Sequence, residues 1–429
     1  MNYAYLYLAA IVIVVLLYLR RHRRLHREHA QELKQSQEAG LGEPPSLHPV
    51  INPSRCIGSG SCARACPEEA LGVVGGKAVL VNGSACIGHG ACLSACPVEA
   101  ITLVFGTEKR GIDIPHVSPE FETNVPGIYI AGELGGMGLI RKAAEQGRQA
   151  MDAIRKRANG SHELDVLIVG CGPAGLSAGL AAIQHKLRYR IIEQEDSLGG
   201  AVYHYPRNKI AMTAPVQLAL IGKVSFGEIS KEQLLGFWQG VVEKTGLQVS
   251  FRERLSGIEP QGEGFVVQTD RGSFSTRSVL LAMGRRGTPR KLDVPGEESS
   301  KVVYRLVDAQ QYAGRHVLVV GGGDSALEAA IALAEQPDTT VTLSYRSEAF
   351  SRVKTKNRER LELLRDAGQL SVLLSSKVKG IEQRTVHIEH DGKLAAVPNE
   401  AVIVCAGGEL PTPLLRQIGI RFETKFGTR

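Results

Sequence analysis

Six of the eight cysteines fall into one repeat, and no other feature limits the possible folds of the chain as tightly. The first copy reads Cys56-Ile-Gly-Ser59-Gly-Ser-Cys62-Ala-Arg-Ala-Cys66-Pro67 and the second Cys86-Ile-Gly-His89-Gly-Ala-Cys92-Leu-Ser-Ala-Cys96-Pro97. Matching positions lie 30 residues apart, and each copy continues into an acid–alanine pair (Glu69-Ala70, Glu99-Ala100) and an apolar strand. Zinc sites favour C-x2-C spacing, which neither copy has. Disulfides belong to oxidising compartments, and the N-terminal sequence points elsewhere.

Residues Tyr3 to Leu19 carry no charge, and as a helix these 17 residues would span about 26 Å, enough for a hydrocarbon core. Tyrosines at 3, 5, 7 and 18 suit an interfacial belt, and five arginines follow within Arg20–Arg27. A secretory signal would carry its positive charge before the apolar run, so this pattern reads as an uncleaved anchor. We therefore expect one transmembrane helix over 1–20, a polar, partly helical stalk over 21–49 broken by Gly40, Gly42, Pro44 and Pro45, and the rest of the chain on the cytoplasmic side of the cell's inner membrane. The net charge of +7 is no nucleic-acid signal: Arg20–Lys34 alone supplies +4, and the remainder is spread over a large body. With 43% hydrophobic and 22% charged residues, that body folds rather than staying disordered.

The cysteine segment, about 50–104, resembles a bacterial two-cluster ferredoxin, whose motif is C-x2-C-x2-C-x3-C-P. In each copy the second cysteine is replaced, by Ser59 and by His89. The last cysteine of each ferredoxin motif serves the other cluster. The resemblance thus implies one site of Cys56, Cys62 and Cys96 with Ser59 in the vacant position, and another of Cys86, Cys92 and Cys66 with His89 there. Six thiolates cannot complete two all-cysteine cubanes, so each site is a 3Fe-4S cluster or a 4Fe-4S cluster finished by another ligand. Imidazole in place of thiolate removes a negative charge and raises the potential.

Farther on, Asp165-Val-Leu-Ile-Val-Gly170-Cys171-Gly172-Pro-Ala-Gly175 is a strand entering G-x-G-x-x-G and then an alanine- and leucine-rich helix. Glu193 ends the next strand, 18 residues after Gly175, where it would accept ribose hydroxyls of a dinucleotide. Cys171, in the variable position, reads as a small packed residue. A second copy is His316-Val-Leu-Val-Val-Gly321-Gly322-Gly323-Asp-Ser-Ala326. Its second strand ends in Arg346, with Arg352 following, and guanidinium there suits the 2′-phosphate of NADP. NADPH is therefore expected, with NAD as the alternative because Glu348 is close by.

Two such folds, with Leu281-Ala-Met-Gly284 and Val404-Cys-Ala-Gly407 where strands return between them, resemble a thioredoxin-reductase-like flavoprotein. The resemblance implies FAD on the first fold and the nicotinamide on the second. The C-x-x-C of the family's disulfide reductases is missing: its region reads Tyr304-Arg-Leu-Val-Asp-Ala-Gln310. Tyr203-His-Tyr-Pro206 is similar to bacillithiol-disulfide reductase relatives, which also lack it. The family's last segment, a strand with a G-D motif and a helix aimed at the isoalloxazine, is expected to have no room between Ile420-Arg-Phe-Glu-Thr and Arg429. It appears upstream instead, as Thr123-Asn-Val-Pro-Gly-Ile-Tyr-Ile-Ala-Gly132-Glu133-Leu-Gly135-Gly136 and a helical run to Ala153. Glu133 stands for the usual aspartate.

The expected organisation is thus α/β, with two Rossmann-like domains for FAD and NADP, a small α+β ferredoxin-like domain and one transmembrane helix. The boundaries are a ferredoxin-like domain at 50–104, a permuted FAD segment at 105–157, the FAD domain at 162–296, the NADPH domain at 297–412 and a return to the FAD domain at 413–429. A neighbouring subunit's FAD site as the destination of 105–157, and with it a homodimer, is the alternative. The expected function is an NADPH-dependent flavoprotein oxidoreductase passing electrons through FAD to iron–sulfur clusters and on to a redox partner protein or membrane acceptor, or the reverse. The chemistry rests on the cofactors, with no catalytic side chain. A low-molecular-weight or protein disulfide reductase, a flavin monooxygenase and a non-catalytic redox sensor are the other readings.

Overall fold

The computed structural model describes residues 3–38, 42–44, 47–86, 88, 90–108, 111–136, 138–157, 162–205, 210–212, 215–285, 287–350, 353, 355–409 and 411–427. His89 and Arg352 lie outside them. The chain forms two compact units, one of residues 1–112, 349–359 and 425–429, the other of residues 113–348 and 360–424.

The first unit contains helix α1 (Tyr3–Glu38), strand β1 (His48–Ile51), one-turn helix α2 (Ser61–Arg64), the hairpin β2 (Leu71–Val74) and β3 (Lys77–Leu80), one-turn helix α3 (Ala91–Ser94) and strand β4 (Ile101–Val104). The cysteine repeat becomes a structural repeat. In each copy two glycines of the loop take left-handed backbone, Gly58 and Gly60 at φ 69° and 68°, Gly88 and Gly90 at 77° and 75°. A short helix then buries Cys62 or Cys92. β1 pairs antiparallel with β4, and β2 with β3. Cys56, Cys62 and Cys92 form the core here together with Leu71, Ala78, Ala100 and Ile101.

α1 is unbroken to Glu38, where the sequence led us to expect only a partly helical stalk. Its second half is held by packing. His26, His29, Glu32 and Leu33 are half-buried and Ser36 is buried, a spacing that lays one helical face against the hairpin. The Val73 N–H donates to His29 Nδ1 at 3.1 Å, and a side chain on Gly72 would meet the imidazole at 2.7 Å. Among the described residues no helix is long and apolar enough to cross a membrane, so the expected span is not supplied by the structure. Within the uncharged run only Tyr7 and Ile11–Leu17 have described side chains, and all of these are exposed.

In the second unit come β5 (Ile128–Ile130), α4 (Ile140–Arg157), β6 (Leu164–Val169), α5 (Pro173–Gln184), β7 (Tyr189–Glu193), β8 (Ser250–Phe251), β9 (Leu255–Gln261), β10 (Gly264–Thr269) and β11 (Gly272–Leu281). They build a seven-stranded sheet in the order β8-β7-β6-β11-β10-β9, with β5 also on β11. β8, β7, β6 and β11 run parallel, and β9 and β10 form an antiparallel meander. The end of β11 has a neighbour on each side: Val279–Leu281 align with Leu167–Val169 of β6 and with Ile128–Ile130 of β5, both parallel. Buried on both faces, these strands are continuous apolar runs.

A second parallel sheet follows, made of β12 (Val302–Val303), β13 (His316–Val320), β14 (Thr340–Ser344), β15 (Leu370–Leu373) and β16 (Ala401–Val404), in the order β12-β16-β13-β14-β15. Helix α6 (Asp324–Ala334) crosses from β13 to β14, burying Ala326, Leu327, Ala330 and Leu333. Both sheets are of the doubly wound kind, with a strand, a glycine turn and a helix at their centres.

Candidate cofactor sites

The first glycine turn is set by close backbone approach. Gly170 has φ 104°, and a Cβ on Gly175 would lie 1.9 Å from the Gly170 carbonyl oxygen, so α5 presses directly on the end of β6. Glu193 closes the turn from β7: its Oε2 accepts from Cys171 N–H at 2.8 Å and its Oε1 from Glu195 N–H at 3.0 Å. Burial pushes its carboxyl up, while those two N–H groups pull it down. Glu193 lines a cavity of about 980 Å³. The cavity runs from Glu193 and Glu253 past Gly170, Gly172, Ala174 and Glu133 to His204, Tyr205, Arg305 and Tyr312. Its size and glycine-lined floor fit a dinucleotide such as FAD.

The segment before residue 157 belongs to this site. α4 packs on α5 so closely that a Cβ on Gly147 would lie 2.0 Å from the Ala174 carbonyl oxygen. Gly132, at φ 83°, donates its N–H to Gln146 Oε1 at 2.8 Å. Gly132, Glu133, Gly138 and Ile140 all line the cavity, so the N-terminus of α4 opens onto it. Arg285 donates to the Asp113 carbonyl at 3.4 Å; burial holds its guanidinium below the usual range, opposed by the charges of Glu133 and Asp113. Gln146 and Arg285 carry no motif, and only the tertiary approach of α4 to Gly132 and of Arg285 to Asp113 reveals them. The same holds for Arg305, which donates to His204 and lies over the Tyr203 ring, 5.7 Å from its centroid.

At the second turn, a Cβ on Gly321 would lie 2.4 Å from the Cys405 carbonyl oxygen, Gly323 precedes α6, and Ala326 is fully buried against the turn. Arg346 is exposed just beyond the end of β14. This is where the sequence reading puts a 2′-phosphate.

The cysteines sort into two sets. Burial raises the Cys62 thiol, with the charges of Cys56 and Cys96 adding to it. Burial raises the Cys92 thiol to about 11, with Cys86, then Cys66, then Cys62 adding. Cys66, Cys86 and Cys92 line one cavity with Gly88 and Gly90. Backbone donors point at sulfur, Ala78 N–H to Cys56 Sγ at 3.3 Å and Ala100 N–H to Cys96 Sγ at 3.2 Å, as around thiolate-held clusters. Ser59 Oγ is hydrogen-bonded to the hydroxyl of Ser61 at 3.3 Å. Among the described residues no group of three or more His, Cys, Asp or Glu could hold a single metal ion; a polynuclear cluster sets its thiolates wider apart. Among the described residues no disulfide joins any of the cysteines; Cys171 is buried, and its thiol is pushed up to about 12 by burial and the Glu193 charge.

The sequence profile of the pyridine nucleotide-disulphide oxidoreductase family matches residues 167–426, and the chain belongs to that family. It is an NAD(P)H-dependent FAD oxidoreductase that also carries an iron–sulfur domain, since residues 48–97 match the 4Fe-4S dicluster domain. The ferredoxin–NADP reductase of Streptococcus pneumoniae serotype 2 is 31% identical over 242 residues, 53% of this chain and 71% of that protein. The ferredoxin–NADP reductase of Ignicoccus hospitalis is 32% identical over 253 residues, 58% and 74% of the two chains. Among solved structures, the bacillithiol disulfide reductases of Staphylococcus aureus and Bacillus cereus share the fold. Each has a TM-score of 0.52 and covers 60% of this chain, with 24% and 25% identity and 80% and 81% of their own length.

Proposed function

We propose that the chain passes electrons from NADPH through FAD to two iron–sulfur clusters and on to an acceptor at a membrane. The observation that carries this is the union, in one chain, of a nicotinamide- and FAD-binding oxidoreductase with a six-thiol iron–sulfur domain. Bound FAD takes up two electrons as hydride and releases them singly, which is the exchange such a union needs.

The residues divide that work. Gly321, Gly323 and Ala326 let the backbone approach a pyrophosphate, and Arg346, with Arg352, takes the 2′-phosphate. Gly170, Gly172 and Gly175 do the same for FAD, with Glu193 on its ribose and Gly132-Glu133 on the ribityl chain. The N-terminus of α4 aims its dipole at the cofactor and favours negative charge there. Cys56, Cys62 and Cys96 would hold one cluster beside Ser59, and Cys66, Cys86 and Cys92 the other beside His89; the charges of Cys56 and Cys96 on Cys62, the stronger effect of Cys86 and Cys66 than of Cys62 on Cys92, and the shared cavity of Cys66, Cys86 and Cys92 support this pairing. The parallel docking of β5 on β11 and the crossing of α4 over α5 support a circularly permuted FAD fold, completed by 105–157 from ahead of its first strand. The uncharged run, its exposed side chains and the arginines after it support an anchor over 1–20 with the catalytic units in the cytoplasm. A disulfide reductase would need a reactive thiolate; of the two cysteines outside the repeat the buried Cys171 does not offer one, which leaves only the half-buried Cys405.

Anaerobic titration of the full chain with NADPH, followed by visible and EPR spectra, tests the reading. It predicts bleaching of a bound flavin and growth of paramagnetic cluster signals. A chain that binds flavin but develops no cluster signal would refute it.

A further inference from the structure

The two cysteine loops rest on different neighbours. A Cβ on Gly58 would lie 2.1 Å from the Gly76 carbonyl oxygen, so the first loop presses on the turn of the β2–β3 hairpin. A Cβ on Gly88, in the second loop, would instead lie 2.8 Å from the Leu47 carbonyl oxygen. Lys77 follows the hairpin turn and donates from Nζ to the Cys56 carbonyl at 2.6 Å. Arg64, the last residue of α2, donates from Nη1 to the Ser59 carbonyl and from Nη2 to Ser61 Oγ, both at 3.2 Å. Two cations thus clasp the loop from Cys56 to Ser59. Among the described residues neither is ion-paired, while Arg55 faces Glu99 at 3.7 Å.

The second copy has no cation to make such a clasp. Residues 55–77 hold Arg55, Arg64 and Lys77 against Glu68 and Glu69, whereas the matching residues 85–107 hold Glu99 and no lysine or arginine. Ala85, Ser94 and Thr107 stand where the first copy has its three cations. Among the described residues, the cavity of Cys66, Cys86 and Cys92 is lined by a single carboxylate, Glu68, and by no cation; the Glu68 charge reaches Cys86. Other influences do not separate the sets. Each has three thiolates, and backbone N–H groups point at sulfur in both. Charge beside a cluster is one of the levers on its potential, and positive charge favours the reduced form.

We infer that Lys77 and Arg64 hold the cluster of Cys56, Cys62 and Cys96 at a higher potential than the cluster of Cys66, Cys86 and Cys92, so that the first electron from the flavin settles there. The inference rests on the iron–sulfur reading above and deepens it. The balance closes: NADPH gives two electrons and becomes NADP⁺, each cluster accepts one electron, and the proton carried by the hydride passes to water. Both cations are exposed, so water screens each and its effect is modest, about threefold in the ratio of reduced to oxidised cluster.

The test is a potentiometric titration of the full chain followed by EPR at about pH 8, where histidine is neutral. Ser59→Cys identifies the signal of the first set by altering its spectrum. In the native chain that signal should appear at the higher potential. Lys77→Gln combined with Arg64→Ser should lower its ratio of reduced to oxidised cluster about tenfold, about 59 mV for a one-electron couple, and leave the other signal in place. Lys77→Arg combined with Arg64→Lys keeps both charges and should stay near the native value. Ser94→Arg should raise the potential of the second signal, a gain that misfolding does not imitate. A native chain with no cluster signal overturns the iron–sulfur reading itself. Two native signals that titrate together, a higher potential on the second set, or a first signal unmoved by the paired neutral substitutions overturns this inference alone. If those substitutions cost the chain its iron, Ser94→Arg decides, and a second signal that does not rise overturns the inference.

Discussion

Replacing Gly147 by alanine puts the crossing of α4 over α5 under direct test. The new Cβ would lie 2.0 Å from the Ala174 carbonyl oxygen and 2.8 Å from its carbon, both backbone atoms that cannot rotate away. Restoring an ordinary contact of 3.4 Å forces the helices apart by about 1.4 Å. Alanine gains about 1 kcal/mol over glycine inside a helix, whereas overpacking a close-packed core costs about 1–3 kcal/mol and at times more. Here the separation also loosens Ala143, Ala144, Ala150 and Met151, all buried in the same core as Ala174. We expect a net loss of about 2 kcal/mol and weaker FAD retention, because Pro173 and Ala174 open the helix that faces the cofactor. The control is Gly240→Ala in the helix Lys231–Thr245, where a Cβ meets nothing within 4 Å. That change should stabilise by about 1 kcal/mol. Urea unfolding and flavin fluorescence read both. If Gly147→Ala is as stable as Gly240→Ala and keeps its FAD, α4 does not cross α5 as described, and residues 105–157 do not complete the FAD fold.

Arg346→Ala should raise the KM for NADPH about 10- to 100-fold, the worth of a charged hydrogen bond to phosphate of about 1.5–3 kcal/mol, and leave NADH kinetics unchanged; equal effects on both cofactors would remove Arg346 from the phosphate site. Burial lifts the thiols of Cys62, Cys86 and Cys92, the last to about 11, and iron binds thiolate, so cluster reconstitution should release protons and slow as pH is lowered from about 9 to about 7. A rate flat over that range would contradict it. The Arg188 hydrogen bond holds the Asp165 carboxyl below its ordinary value. Its stabilisation is present above the unfolded pKa near 3.9 and lost as pH falls through the folded one. Asp165→Asn should therefore lower the melting temperature at neutral pH, and the difference should vanish as pH falls through the folded pKa. The loss should stay within about 1 kcal/mol because Arg188 is half exposed.

Both glycine turns were legible in the sequence because backbone-to-backbone approach admits only glycine: Gly175 meets Gly170 within the turn, while Gly170 and Gly321 meet the distant Ala282 and Cys405, and the strand–glycine–helix pattern marks all three. Glu193 was legible for the same reason, fixed by the length of one strand–helix–strand unit. The two loops of the cysteine repeat are equally local. Gln146, Arg285 and Arg305 were not legible, since their partners Gly132, Asp113 and His204 are set by tertiary packing and no periodicity marks them. The continuation of α1 was hidden too: His26, His29, Glu32 and Ser36 read as polar surface until the hairpin is seen to lie on them. The place of β5 was inferred from the missing end of the flavoprotein pattern, and the sheet has it beside β11.

Rapid mixing of the anaerobic, oxidised chain with a single equivalent of NADPH, with freeze-quenched samples taken for EPR, tests the electron path most directly. The account predicts that the yellow absorbance falls first and then partly returns as the iron–sulfur signals rise, all within one turnover and without any added carrier. Flavin that stays fully reduced beside clusters that never leave the oxidised state would contradict it.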